Sequence, residues 1–324
     1  MRVFITGAAS PLGRAVTSTL VRRGHRVVGL ARRRTGLTQV TELGAQAVAG
    51  DVRRRGEWGR ALAQCDTVFH LASYFDFWSK DPDLFRAVNV DGTRHVLVAA
   101  AAAKVRRVVL VSSALTVATP GSNTEKGQVL RSRPHTKFER SQRTAERLAF
   151  ALRAQGIEVV FVHPSLIVAP LDPGWTGRLI AARVRGREQL AAHTTIGWVW
   201  VNDVAEGVVR AAESGEDGAH YVLSGDLLSS HDFLSRIAAR AGTPPPRTLP
   251  PSLVVGEAAI ASALARLNGR RPKLTLEEAR FLAAGFRVDG RPAAAELEFN
   301  YTPMNRYLPG LVTSYQQVVA RFAS

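Results

Sequence analysis

The sequence predicts an α/β protein: a doubly wound parallel sheet followed by a smaller C-terminal region. Three observations predict it. Short apolar, β-branched runs alternate with longer amphipathic ones through the first half of the chain. A glycine turn follows the first such run and opens a helix. Beyond Pro164 the alternation breaks into prolines, glycines and isolated helices.

Taken in order, strands are expected at Val3–Thr6, Arg26–Ala31, Ala45–Ala49, Thr67–His70, Arg107–Ser112 and Glu158–Val162. Most are rich in Val, Ile or Phe, residues that suit a pleated surface buried on both faces. Between them, helical periodicity runs over Leu12–Arg23, Trp58–Ala63, Leu84–Ala103 and Lys137–Ala154. Such units cross over right-handedly and leave their ligand crevice at the carboxyl ends of the strands. Pro170, Pro173, Gly174, Gly177 and Pro244-Pro245-Pro246 punctuate the second half, with an isolated helix at Thr275–Ala284. The apolar stretch Leu253–Leu267 carries Glu257 and Arg266; it is too short to span a membrane and is expected to be a buried helix.

Composition narrows the class. Of the 324 residues, 46% are hydrophobic and 22% charged, ordinary for a globular chain. One cysteine, Cys65, allows no disulfide framework and suits a reducing compartment. Met1-Arg2-Val3-Phe4-Ile5 runs directly into a strand, which leaves no room for a signal peptide, so a cytoplasmic location is expected. The net charge of +16 is concentrated early: 25 basic residues face 11 acidic ones up to Phe150, and 18 face 16 afterwards. No aromatic stacking repeat, zinc spacing or basic tail accompanies it, so one local phosphate site explains the excess better than nucleic acid. The histidines show no metal spacing, and no metal is expected.

The glycine turn reads Thr6-Gly7-Ala8-Ala9-Ser10-Pro11-Leu12-Gly13. Gly7 serves the tight turn and Gly13 the close helix packing, while the N–H groups opening the helix face an anion; this is a pyrophosphate cradle of the Rossmann type. Ser10 replaces the middle glycine; its Cβ limits close approach, but its hydroxyl can donate to phosphate. Ala9, Pro11 and Leu12 complete the cradle. The second strand ends at Leu30-Ala31 and is followed by Arg32-Arg33-Arg34, with no acid to hold ribose hydroxyls. Arg32 therefore points to the 2′-phosphate of NADP(H), with Arg53-Arg54-Arg55 adding to the field. Asp51, followed by Val52, stands at the third strand's end, where it can meet the adenine amino group. The organisation expected is a dinucleotide-binding domain over residues 1–165 and a mostly substrate-binding region over 166–324, with segments near 196–225 returning to the first.

These motifs, with His70-Leu71-Ala72, Asn89-Val90-Asp91-Gly92-Thr93, Val111-Ser112-Ser113, His163-Pro164-Ser165 and Val201-Asn202-Asp203-Val204-Ala205, resemble the extended short-chain dehydrogenase/reductases of the epimerase/dehydratase type. Tyr74-Phe75-Asp76-Phe77-Trp78 before Asp81-Pro82, and Gly174-Trp175-Thr176-Gly177-Arg178, are most similar to dihydroflavonol reductase-like and hopanoid-associated sugar epimerase-like proteins. The resemblance implies cofactor contacts at Leu71, Ala72, Ser73, Gln142, Pro164, Ser165 and Ile167, a small-molecule substrate, and dimerisation through two long helices.

The resemblance fails at the chemistry. Such enzymes place a Tyr and a Lys four residues apart on one helix; here Phe138 and Gln142 stand in those positions. Phe has no dissociable proton, and Gln has no charge to lower a neighbour's pKa, though its amide can still bond a ribose. Ser113 remains to polarise a carbonyl, and His135, one turn before Phe138, is a candidate proton donor; Thr116 and Tyr74 are weaker candidates. Three functions stay open: an NADP(H)-dependent oxidoreductase of unusual mechanism, a non-redox cyclase, lyase or isomerase, and a non-catalytic NADP(H) sensor.

Overall fold

The computed structural model describes residues 1–117, 123–124, 136–187, 189–248, 250–268, 272 and 274–321. Its principal strands are β1 (Arg2–Thr6), β2 (Arg26–Ala31), β3 (Gln46–Ala49), β4 (Thr67–His70), β5 (Arg107–Val111), β6 (Glu158–Pro164), β7 (Leu166–Val168), β8 (Thr195–Trp200), β9 (His220–Leu223) and β10 (Asp226–Ser229). Seven of them form one parallel sheet in the order β9-β6-β5-β4-β1-β2-β3. The order reverses beside β1, the switch point at which such sheets open a crevice. The expected doubly wound fold is what the chain adopts.

Alternation along β1 shows why the sheet is covered twice. Val3 and Ile5 join Phe69 and Val109 against α1 (Pro11–Arg22), whose Val16 and Leu20 point inward, and against α6 (Val201–Ser214), through Val204 and Val208. Phe4 points the other way, into a layer with Trp58, Leu62, Val68 and Val108, closed by Val96 and Leu97 of α3 (Thr93–Ala102) and Ala149 of α4 (Lys137–Phe150). Val3, Phe4 and Ile5 are wholly buried. Each such side chain stabilises by about 1.5–3 kcal/mol relative to its exposed state.

Several boundaries differ from expectation. Trp58–Ala63 is a 3₁₀ turn, Glu57–Leu62, rather than an α-helix. The helix expected over Leu84–Ala103 is interrupted by a π segment, Ala87–Gly92, before α3 begins. Gly92, at the end of that segment, packs closely: a Cβ there would meet Val52 Cγ2 at 2.9 Å. α4 stops at Phe150 and gives way to a 3₁₀ stretch ending at Gly156, which adopts φ +77°. The helix α2 (Arg34–Glu42) was not anticipated: it buries only Gly36 and Val40, too little for a periodic signal.

The second half includes a three-stranded sheet, β10-β8-β7, whose Leu166, Val168, Ile196 and Trp198 pack in one cluster with α5 (Trp175–Val184) and α7 (Ser230–Ala241). Trp198 of β8 stacks on Phe233 of α7 at 3.8 Å. Two further helices follow, α8 (Pro251–Asn268) and α9 (Leu276–Ala284), then α10 (Met304–Arg321). The expectation of a buried helix at Leu253–Leu267 is wrong. Val254 and Ala258 of α8 pack on Ala279 of α9, while Leu253, Ile260 and Leu264 are 57%, 66% and 57% exposed. An apolar composition does not bury a helix that meets its neighbour along one stripe only. No helix among the described residues is long and apolar enough to cross a membrane.

Candidate active site

The crevice is built at the carboxyl edge of the sheet, where the register sets Thr6 beside His70 and His70 beside Leu110. Gly7 follows β1 with φ +69°, a region that strains any side chain, and a Cβ there would stand 3.1 Å from the Ala72 backbone. A Cβ on Gly13 would meet Gly7 O at 2.1 Å and the Ala8 backbone at 2.8 Å. Only glycine lets α1 begin this close to the turn. Ser10 caps α1, its Oγ accepting from Gly13 N at 3.0 Å, which leaves the hydroxyl proton available to an anion. Ala9 and Pro11 are half-buried on this rim and Leu12 is buried beneath it. The turn and the opening of α1 therefore fit a pyrophosphate.

Beneath the turn lies a directional hydrogen-bond chain. Ala72 N donates to Thr6 Oγ1 (3.1 Å), and Thr6 Oγ1 lies 2.7 Å from His70 Nδ1. His70 Nε2 lies 2.8 Å from Thr93 Oγ1, which donates to Asn89 O at 2.6 Å. Because Thr93 has spent its proton, Nε2 must be the protonated nitrogen and Nδ1 the acceptor from Thr6. The imidazole is neutral, and complete burial pulls its pKa down to about 4. This chain sets the loop Leu71-Ala72-Ser73, of which Leu71 is buried and Ser73 exposed, against β1.

At the outer end, Arg32 is 58% exposed, and Arg33 and Arg34 form the N-cap and first residue of α2. Asp51 accepts from Arg53 N (3.0 Å) and from the Arg53 guanidinium (2.7 and 2.9 Å), and Arg32 stands 3.9 Å away. Burial raises the Asp51 carboxyl, but the Arg53 bonds, followed by the charges of Arg53 and Arg32, carry it below its ordinary value. Val52 is buried beside it.

Phe138 and Gln142 are the two positions that the resemblance assigns to a Tyr and a Lys. Phe138 and Gln142 lie one turn apart on α4, both buried. The Phe138 ring meets Phe75 edge-on at 4.7 Å, and Phe75 contacts Phe77 (5.4 Å) and Trp175 (6.2 Å) in the same manner. Ser113, at the end of β5, is half-buried, with Oγ accepting from Leu115 N at 3.3 Å. Pro164 and Ser165 are buried at the end of β6, and Ile167 is half-buried in β7. Ser165 Oγ finds no hydrogen-bond partner among the described residues. His135 lies outside the described residues. The half-buried Tyr74 packs its ring on Phe85 at 5.0 Å, and the Thr116 hydroxyl is wholly buried with its proton directed to Ser113 O and Glu146, so Thr116 is not placed as a free donor.

Three features escaped sequence reasoning. Asn89 joins the site loop to α4: Oδ1 accepts from Tyr74 N (2.7 Å) while Nδ2 donates to Tyr74 O (3.1 Å) and Ser141 Oγ (2.8 Å). Asp76 accepts from Arg178 at 2.6 Å, tying α5 to the aromatic loop. Glu146, one turn beyond Gln142, accepts from Ser112 Oγ and from Thr116 Oγ1 (2.6 Å), with His163 Nδ1 3.1 Å from Thr116 Oγ1 and His163 Nε2 2.8 Å from His220 Nδ1. Burial raises the Glu146 carboxyl and lowers both histidines to about 4. The one available signal was the spacing 138, 142, 146 along one helical face.

A dinucleotide-type cradle on a doubly wound sheet, with a strand-end serine and an aromatic wall across the crevice, defines the class. The profile of the "NAD dependent epimerase/dehydratase family" matches residues 3–224, and the chain belongs to that family. It is 29% identical over 304 residues to "Sterol demethylase protein B" of Methylococcus capsulatus, covering 92% of this chain and 93% of that one. It is 32% identical over 247 residues to the "4-hydroxy-2-methyl-3-oxo-4-farnesyl-3,4-dihydroquinoline-1-oxide ketoreductase" of Stigmatella aurantiaca, covering 75% and 74%. The crystal structure of gox2253 superposes with TM-score 0.84 at 28% identity over 98% of both chains. A dTDP-glucose 4,6-dehydratase from Streptomyces venezuelae, solved with NAD bound, superposes with TM-score 0.79 at 20% identity over 98% of this chain and 97% of that one, a likeness of fold.

Proposed function

We propose that the chain is an NADP(H)-dependent oxidoreductase acting on a small apolar molecule through a carbonyl, alcohol or activated double bond, without the Tyr/Lys pair. The observation that carries the reading is the pairing of the Gly7–Gly13 cradle with the exposed Arg32 just after β2, where the chain runs Arg32-Arg33-Arg34 with no acid of its own and Asp51 of the neighbouring strand end stands 3.9 Å away. On this reading Gly7, Ala9, Ser10, Pro11, Leu12 and Gly13 hold the pyrophosphate, and Arg32 the 2′-phosphate. Asp51 and Val52 flank the adenine, Leu71, Ala72 and Ser73 line the cofactor's path, and Gln142, Pro164, Ser165 and Ile167 flank the nicotinamide ribose. Residues 1–165 carry these contacts and residues 166–324 mostly the substrate, with segments near 196–225 packed back on the first part.

When bound, the nicotinamide supplies hydride transfer. The protein orients and polarises. Ser113 donates a hydrogen bond to the substrate oxygen, and Phe138, Phe75 and Trp175 form an apolar wall that excludes water and favours an apolar substrate. That preference agrees with relatives whose names specify sterol and farnesyl-quinoline chemistry. Phe138 holds no proton at the reacting oxygen, so protonation comes from water at Ser113 or from His135. Losing a positioned acid costs about 10²- to 10⁴-fold in rate, which slows such an enzyme without abolishing it.

A second reading, a non-catalytic NADP(H) sensor, is favoured by one observation: the Phe138 ring is locked against Phe75 where a proton donor would stand. Titration with NADPH and NADH, followed by NADPH consumption over a panel of apolar ketones, separates the two. Binding with turnover supports the oxidoreductase, binding without turnover the sensor, and no binding removes both.

A further inference from the structure

A second group of chemistry-bearing side chains gathers on the loop entering β8 and the first turn of α7. His193 stands two residues before β8, and His231 and Asp232 lie in the first turn of α7. The imidazole nitrogens and carboxylate oxygens of the three lie within 4.8 Å of one another. The two rings stand 4.5 Å apart, tilted by 46°, and His231 Nδ1 is 3.4 Å from Asp232 Oδ1. His193 and Asp232 are exposed and His231 half-buried, so a solvated ion can reach all three.

The segments that carry them are pinned together. Ala192 N donates to Ser230 Oγ (2.9 Å), Ser230 Oγ lies 3.1 Å from Ala192 O, and His231 N donates to Ala192 O (3.1 Å). Ser229 Oγ lies 2.8 Å from Asp232 Oδ2, which leaves Oδ1 on the side of His231. Two imidazoles and one carboxylate form a nitrogen–oxygen donor set suited to zinc and its neighbours rather than to magnesium or calcium. Tetrahedral donors about 2 Å from zinc lie about 3.4 Å from each other, a separation that small rotations of these solvent-facing side chains supply.

We propose that His193, His231 and Asp232 bind one divalent transition-metal ion, zinc by donor class, with water completing the shell. The ion ties the loop entering β8 to α7. Because β8 pairs with β7, which directly follows Ser165, the clamp stiffens the sheet that borders the crevice. The two histidines stand far apart in the sequence, so no local spacing announced them; the proposal departs from the expectation that no metal binds.

The test is calorimetric titration of the tag-free, full-length chain with zinc chloride at pH 7.5, beside His193→Gln, His231→Gln and the double variant. His25→Gln serves as control, since His25 lies 3.2 Å from the N-terminal amine and offers a competing nitrogen site. The expected result is one saturable zinc per chain, weakened at least about tenfold by either substitution and unchanged by His25→Gln. Magnesium at high concentration should not compete. No saturable binding by the parent, or binding that survives the double variant, overturns the proposal. Should a variant unfold, the cobalt(II) spectrum of the parent decides: tetrahedral bands support the site, and the octahedral aqua spectrum overturns it.

Discussion

Phe138 meets Phe75 edge-to-face at 4.7 Å, one turn of α4 before Gln142. The contact is apolar on both sides, and Phe77 and Trp175 extend it. Phe138 is thus a structural residue in a position that could have carried chemistry. Phe138→Ala should destabilise the fold by about 3–5 kcal/mol, the cost of a large buried ring, read as a lowered denaturation midpoint. Phe138→Tyr with Gln142→Lys should raise ketone reduction by about 10²-fold or more. No change in turnover would mean that the missing pair does not limit this site.

Arg32 tests the cofactor reading. Arg32→Ala should weaken NADPH binding by about tenfold or more, the loss of a charge-assisted contact, and leave NADH nearly unchanged. Fluorescence titration with both nucleotides measures it. Equal weakening of the two would assign Arg32 to the general field of the crevice, not to the 2′-phosphate.

Gly13 and Gly256 make opposite predictions from the same substitution. A methyl on Gly13 runs into Gly7 O at 2.1 Å, so Gly13→Ala should displace the turn and abolish dinucleotide binding. Nothing lies within 4 Å of a methyl on Gly256, inside α8, so Gly256→Ala should stabilise the chain by up to about 1 kcal/mol. Thermal melts of both variants, with nucleotide titration of the first, check the pair.

Two buried histidines and one half-buried one predict the acid behaviour. His70, His163 and His220 are each held near pKa 4 by burial, against 6.5 when unfolded. Between those values the unfolded chain binds more protons than the folded one, so stability falls as the pH drops from about 6.5 to 4. Each histidine contributes up to about 1.4 kcal/mol per pH unit, less for the partly accessible His220. Glu146, whose carboxyl burial raises, opposes the trend by holding its proton in the folded state. Urea titrations at pH 7 and pH 5 should show the loss, and His70→Gln should reduce it.

Much of this was legible because local chemistry and global fold agree. The strands β2 and β4 are bounded as the apolar runs demand, and the Gly7–Gly13 turn dictates its own geometry. The sequence could not show what depends on distant partners. α2 has almost no buried face, and β9, four residues of His-Tyr-Val-Leu, becomes a strand only by pairing with β6. The apolar composition of α8 suggested burial, yet burial requires a neighbour on each side, and among the described residues its apolar stripe meets α9 and Leu274. Within the crevice, the glycines and arginines announced themselves by type. The roles of Asn89 and Asp76, quoted only within motifs, and of Glu146 did not, since a lone polar residue acquires meaning only from what the fold brings beside it.

The late arrival of β9 has a consequence for biosynthesis. Until residues 220–223 emerge from the ribosome, β6 presents an unpaired edge of Val, Phe and Val to the surrounding solution. A nascent chain halted before that point carries six strands of the main sheet and a sticky margin, so stalled or truncated products should cluster with one another or engage holdase chaperones. Completion of the sheet, more than completion of the crevice, marks the moment at which the polypeptide becomes safe to release.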